Sequence, residues 1–359
     1  MEISEILLEG SRRGASDILI SAGAPITYQV HGVLERHEPA DPLTPVEAES
    51  LVYQLLRPDQ AKTFEMEKEL DIAFQYKDVS RFRVNVYQQR GTLAAVLRLV
   101  PLTIPRYTEI GIPDRLLMQL VGIPNGLILI TGPTGSGKST TVASYLSYLN
   151  TETDFPRHII TIEDPIEFLL PSNVCVIDQR ELGTDTKGYV IGLRSALRQM
   201  PHIIFVGEMR DRGTMETALT AAETGNVVIS TLSTQSAAKT INRIVDVFPL
   251  SDQAEIRTRL ALSLRATISQ VLMRRKDQAG RVAAREILFV NSPVANLIRE
   301  GKIHQINNVI SSSYAEGMVL LDDSLMQLYD DGIVTAADVI PRIQDPEKTR
   351  RLVGLGRNR

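Results

Sequence analysis

The ten residues "TGPTGSGKST", Thr131 to Thr140, constrain the fold more than any other stretch of this 359-residue chain. Gly132, Pro133, Thr134, Gly135, Ser136, Gly137, Lys138 and Ser139 match G-x-x-x-x-G-K-[ST] at every position, with Thr140 following. Such a run works only between a strand and a helix. Its glycines let backbone N–H groups turn inward around an anion, and the helix N-terminus adds a favourable field. "GLILI" before it reads as the strand and "STTVASYLSYL" after it as the helix. The stretch therefore predicts a site for a nucleoside triphosphate. Lys138 reaches the β- and γ-phosphates and Ser139 is a ligand for Mg2+.

Two further apolar runs end in acids. "HIIFVGEMRD" reads as a strand ending in Glu208, a Walker B acid that holds Mg2+ directly or through water. "IITIEDPIEF" ends in Glu163 and Asp164 before Pro165. An acid there can orient or deprotonate an attacking water, although Asp164 taken alone reads better as the cap of a turn before proline. With "GLILITG" and "NVVISTLST" these runs suit the buried strands of a largely parallel sheet.

The first hundred residues read as a small α+β unit. "MEISEILLEGSRRG" fits an amphipathic helix ending at Gly14, and "ITYQVHGVLER" and "DIAFQYK" read as strands. In "SRFRVNVYQQR", Phe82, Val84 and Val86 alternate with Arg81, Arg83 and Asn85, the period of a half-buried strand. "TPVEAESLVYQLLRPDQAKTFEME" is read as helical, with Thr44 as N-cap and Glu47 three residues on. The proline-rich "LRLVPLTIPRYTEIGIP" is the linker candidate. From about residue 250 the chain reads as mainly helical, interrupted by "GRVAAREILFV". The expected domains are 1–100, a linker at 101–113, an ATPase core at 114–290 and a helical C-terminal region at 291–359.

Arg81, Arg83 and Arg98 are either a solvated face or arginines that complete a nucleotide site at a domain or subunit interface. Arg194 and Arg198, four apart, share a helix face and leave the same two readings. The run "MRRK", Met273 to Lys276, is read as solvated surface. The single cysteine, Cys175, sits in "VCVI" and is read as a small buried hydrophobe. A net charge of −4 and the absence of Trp argue against a nucleic-acid partner. The N-terminus lacks the pattern of a signal peptide and no run of about 20 apolar residues appears, so a cytoplasmic protein is expected.

The order of "GPTGSGKST", "IITIEDPIEF", "LRSALRQMPHIIFVGEMRD" and "ALTAAETGNVVISTLSTQSAAKTINRIVDVFP" resembles the secretion-superfamily ATPases. Within them it resembles the PilT- and PilU-type pilus retraction ATPases, from "GASDILISAGAPITYQVHG" to "VANLIREGKIHQINNVI". The resemblance implies an α/β chain with a PAS-like α+β N-terminal domain and a RecA-like P-loop ATPase domain. It implies a homo-hexamer that hydrolyses ATP with Mg2+ to drive type IV pilus retraction. Its partners would be an inner-membrane pilus platform protein and a paralogous ATPase subunit, at the inner face of the cytoplasmic membrane. Glu163 becomes the water-activating acid, Glu208 the acid near Mg2+, and Arg81, Arg83 and Arg98 the N-terminal-domain arginines. The chain departs from the family pattern at four places. Asn226 and Ser233 stand where two histidines are usual, and Leu19 where a third is usual. "MPHIIFVGE" replaces "DPDVILVGE", and Ala295 replaces an arginine linked to retraction. An accessory or regulatory ring subunit, a secretion or assembly ATPase and a nucleic-acid translocase are the alternatives; DNA-stimulated turnover would separate the last.

Overall fold

The computed structural model describes residues 2–30, 33–76, 80–100, 103–278 and 280–356. His31, Gly32 and Lys77, within expected strands, and residues 101 and 102, at the start of the expected linker, lie outside these. The chain divides into two compact units. Met1–Thr103 with Pro165–Leu169 form the first, and Ile104–Asp164 with Leu170–Arg359 the second.

In the first unit, helix α1 (Ile3–Arg12) precedes strands β1 (Asp17–Ser21), β2 (Thr27–Val30) and β3 (Val33–Arg36). Helices α2 (Pro45–Tyr53) and α3 (Pro58–Glu67) follow, then β4 (Glu69–Tyr76), β5 (Ser80–Gln89) and β6 (Thr92–Val100). The single helical segment expected around residues 44–67 is two helices. Pro58 disfavours helical backbone at Arg57 and instead opens α3. Thr44 caps α2 as expected: its hydroxyl accepts from the Glu47 N–H while the Glu47 carboxylate accepts from the Thr44 N–H. The sheet is wholly antiparallel, in the order β3-β2-β1-β6-β5-β4. Its alternation is that of the sequence: Phe82, Val84 and Val86 are fully buried, with Ile18 and Leu97 on the same face.

The second unit begins with α4 (Asp114–Val121), β7 (Gly126–Thr131), α5 (Lys138–Thr151), β8 (His158–Glu163) and β9 (Val176–Glu181). It continues through α6 (Tyr189–Ala196), β10 (Ile203–Val206), α7 (Arg212–Glu223), β11 (Val227–Leu232), α8 (Ala237–Asp246) and α9 (Gln253–Ser263). The hairpin β12 (Leu264–Arg274) and β13 (Arg281–Phe289) precedes helices α10 (Ser292–Arg299), α11 (Ile306–Ser312), α12 (Leu321–Asp330), α13 (Ala336–Val339) and α14 (Pro346–Gly356). The seven strands lie in the order β13-β12-β7-β11-β10-β8-β9, all parallel except β13.

Both faces of this sheet are covered. Leu127 and Leu129 point into the layer holding α6 to α11, while Ile128 and Ile130 point into the layer holding α4 and α5. Double burial is why these strands read as unbroken apolar runs. Cys175 is buried in the α5 layer, as expected of a small hydrophobe.

Strand β12 overturns the expectation of helix after residue 250. Thr267, Ser269 and Gln270 are buried within it, so its sequence carries neither an apolar run nor an alternation. Met273, read as surface within "MRRK", is also buried, in the cluster with Leu325 and Val334. The second half of the linker candidate packs on the core through Ile104, Tyr107 and Ile110. Its turn is held by Arg285, a buried arginine whose guanidinium donates to the carbonyls of Gly111 at 2.6 Å and Ile110 at 2.7 Å. Among the described residues no helix is long and apolar enough to cross a membrane.

Candidate nucleotide site

Parallel strands end together, and here four ends make one edge. β7 runs into residues 132–137, β11 into Ser233, β10 into Gly207 and Glu208, and β8 finishes at Glu163. β11 lies between the strand of the glycine-rich loop and the strand of Glu208.

The loop is shaped by its glycines at two points above all. Gly137 caps α5 with φ 85, which places the following N–H groups at the start of a helix. At Gly132, with φ 145, an added Cβ would lie 2.3 Å from the Gln270 carbonyl oxygen and 2.5 Å from the Ser136 hydroxyl. The ammonium of Lys138 donates to the carbonyls of Gly132 (2.9 Å) and Pro133 (3.2 Å), folded back over the loop. The Ser136 hydroxyl is buried with no hydrogen-bond partner inside this loop. An orphaned donor and a lysine at a helix N-terminus fit a phosphate group. Ser139, in the first turn of α5, is half-buried.

Glu163 is buried, and its Oε1 accepts from the Thr161 hydroxyl at 2.6 Å and the Gln179 amide at 3.1 Å. Glu208 is more open. Arg210 grips its Oε2 through Nη2 at 2.7 Å and Nε at 2.8 Å, which raises the guanidinium pKa further. Its Oε1 accepts from the Ser233 hydroxyl at 3.3 Å. Glu208 offers one carboxylate and Ser139 one hydroxyl, donor types that Mg2+ takes together with phosphate and water. Tyr189 enters this edge without a sequence signal. A Cβ at Gly207 would meet its hydroxyl at 3.1 Å and the Glu163 Cα at 3.4 Å. Burial pushes the Tyr189 phenol pKa up, with Asp164 adding to the effect, so it stays a neutral donor.

Gln270 is the other residue that sequence reasoning missed. It reaches the loop from β12, where Ser269 pairs with Thr131. Its Nε2 donates to the Ser136 carbonyl at 2.6 Å and its Oε1 accepts from the Thr141 hydroxyl at 2.9 Å. No motif could flag it, because the contact spans 134 residues.

The two positions that lack the usual histidines do not lie together. Ser233 follows β11 at the loop edge, but Asn226 precedes it, so the whole strand separates them. At about 3.3 Å per residue that is roughly 20 Å. The Asn226 amide donates to the Ala221 carbonyl at 3.1 Å, at the C-terminal end of α7. A hydrogen bond from Asn226 to the same phosphate as Ser233 is therefore ruled out within one chain. The Ser233 hydroxyl itself is directed to Glu208.

The arginines belong to the first unit. Arg83 and Arg98 are direct cross-strand partners, and Asp17 is the partner of Arg98 on its other side. Arg98 donates to Asp17 at 2.9 Å while remaining 68% exposed. Like charges placed opposite each other on a sheet are unfavourable, and one carboxylate offsets this in part. Arg194 lies on α6 and Arg198 just beyond it, both exposed, with Arg198 donating to the Arg194 carbonyl at 3.0 Å.

A glycine-rich loop after a central strand, acids at the ends of two neighbouring strands and an α/β sheet covered on both faces define a P-loop ATPase of the RecA-like class. The profile of the family described as type II/IV secretion system protein matches residues 2–327, and the chain belongs to this family, the secretion ATPases. It is 44% identical over 347 residues to the type IV pilus retraction ATPase PilT of Pseudomonas aeruginosa, covering 97% of this chain and 99% of that one. It is 34% identical over 358 residues to the type IV pilus ATPase PilU of the same organism, covering 99% of this chain and 92% of that one. The crystal structure of the pilus retraction motor PilT with bound ADP superposes with a TM-score of 0.90 at 42% identity, covering 98% of this chain and 99% of that one.

Proposed function

We propose that this protein is an ATP-hydrolysing motor that drives type IV pilus retraction, and with it twitching motility. The observation that carries the reading is the shared strand edge, where the loop, Glu163 and Glu208 meet in a chain similar to PilT along nearly its whole length. Gly132–Thr140 hold the phosphates of ATP. Lys138 exchanges its two loop carbonyls for β- and γ-phosphate oxygens. Ser139 and Glu208 would hold Mg2+, which would neutralise charge on the phosphates when bound. Glu163, fixed by Thr161 and Gln179, orients the attacking water and takes its proton.

The working form is a homo-hexamer in which Arg81, Arg83 and Arg98 complete a nucleotide site and act on the transition state. The exposed cationic pair of Arg83 and Arg98 supports this. The ring sits at the inner face of the cytoplasmic membrane against the pilus platform protein, beside a paralogous ATPase subunit. The accessory, PilU-like role is the second reading. It is favoured by Ser233 engaging Glu208 where a histidine is usual, with Ala295 in place of an arginine on α10. Deletion of the gene tests the proposal. Excess immobile surface pili are the expected result, and loss of pili would overturn it in favour of an assembly motor.

A further inference from the structure

We infer that Gln270 is a positioning residue for nucleotide binding, one carboxamide that sets the curvature of the phosphate loop. The inference rests on the nucleotide reading above. Gln270 is 3% exposed and meets the loop at three places. Its main-chain oxygen closes the space at Gly132, where no side chain would fit. Its Nε2 holds the Ser136 carbonyl in the middle of the loop. Its Oε1 holds Thr141, in the first turn of the helix that follows. Other bonds on the loop are its own turn, the Lys138 ammonium on the Gly132 and Pro133 carbonyls, and the Gly132 N–H on the Leu232 carbonyl.

The chemistry of the side chain argues for geometry over packing. A buried amide must give up its water and is tolerated only when both ends are bonded. An apolar residue of the same length would fill this slot without that cost. A carboxylate would supply the acceptor for Thr141 but repel phosphate and lose the donor to Ser136. Only glutamine offers a donor and an acceptor at this reach, one directed at each side of Gly137. Phosphate binding by a loop depends on several N–H groups converging together, so a small change in its curvature weakens all of them at once.

The test uses the full chain with Gln270→Met, which keeps length and volume, and Thr141→Val, which removes one of the two side-chain bonds. Steady-state ATP turnover, ADP affinity by calorimetry and thermal melting are measured for each. Gln270→Met is expected to raise the KM for ATP and the Kd for ADP by about tenfold, with kcat changing less than about threefold. Thr141→Val is expected to raise both by about threefold, and adding it to Gln270→Met should change nothing further. A merely structural role would lower the melting temperature and leave the ADP affinity of the folded protein alone. That result in either variant overturns the inference. If Gln270→Met fails to fold, Thr141→Val decides alone, and parent-like ADP affinity counts against the proposal. Lys138→Ala separates the two levels. If it keeps full turnover, the nucleotide reading itself falls. If it is inactive while Gln270→Met binds ADP as the parent does, only the role of Gln270 falls.

Discussion

The two sheets of this protein carry their charged residues in different places. In the antiparallel sheet of the first unit one face is buried and one is open, so Arg81, Arg83 and Arg98 ride along the strands at alternate positions. In the parallel sheet of the second unit both faces are covered, so β7, β8, β10 and β11 hold no charge between their ends, only the hydroxyls of Thr161, Ser230 and Thr231, and carry Glu163, Glu208 and Ser233 at their ends. Double burial forces polar chemistry to the edge of a sheet, whereas a half-buried sheet tolerates it anywhere on the open face. A charge at the end of an apolar strand is therefore informative by itself. A charge along an exposed face is not.

Six substitutions press on this contrast. Lys138→Ala acts at the start of α5, after the loop that leaves the end of β7, and should cut ATP turnover at least a hundredfold, about 2.7 kcal/mol in the barrier. Wild-type turnover in that variant would remove the edge of the parallel sheet from the chemistry.

Arg285→Met addresses an exception, a charged residue buried mid-strand in β13 of the same sheet, next to the equally buried Glu286. Burial alone pulls its pKa down to about 10, so enclosing the charge opposes folding. Against that stand two charge-assisted bonds to the Gly111 and Ile110 carbonyls, which methionine would leave without donors. The net loss expected is about 2 kcal/mol in denaturant unfolding. The pH dependence follows from linkage. Between pH 10 and the ordinary arginine range the unfolded chain holds the proton that the folded chain has released, so stability gains from this group as pH rises. The methionine variant should lack that gain. Equal stability of the two proteins would mean that the guanidinium bonds contribute nothing net.

Arg83→Ala and Arg98→Ala ask whether charges on the open face are more than solvated. Each should lower kcat by about tenfold with little change in nucleotide affinity, since such charges act mainly in the transition state. Full activity of a dilute monomer would contradict the composite site. Ser233→Ala has the smallest expected effect. Loss of one neutral hydrogen bond to Glu208 should change turnover by about fivefold, roughly 1 kcal/mol. Unchanged turnover, together with a Ser233→His variant no faster than the parent, would reduce Ser233 to a packing residue.

The same contrast explains how much was legible in the sequence. Gly132 to Thr140, Glu163 and Glu208 could be read because each follows an apolar run, and the structure brings those runs to one edge. Strand β12 was hidden because its buried polar residues break any periodicity, and Gln270 was hidden with it. Tyr189 stands at the first position of α6, and only the fold brings its hydroxyl beside Gly207. Ser233 was legible only as the replacement of a usual histidine. Its bond to Glu208 depends on β11 and β10 being neighbours, which no local pattern states. Asn226 and Ser233 were grouped by family pattern, and only the direction of β11 separates them.

Strand β11 has a mechanical consequence. It is clamped along its length by parallel partners, β7 on one side and β10 on the other. Such a strut neither bends nor shortens under small loads, because its ladder bonds and both packed faces would have to yield together. An axial displacement imposed at Ser233 would thus reach Asn226, roughly 20 Å away, nearly undiminished. There it meets the last turn of α7 through the Ala221 carbonyl. The chain has altered the usual residue at both ends of this connecting rod and has kept the rod itself buried throughout, with the Ser230 and Thr231 hydroxyls donating to the Val206 and Gly207 carbonyls.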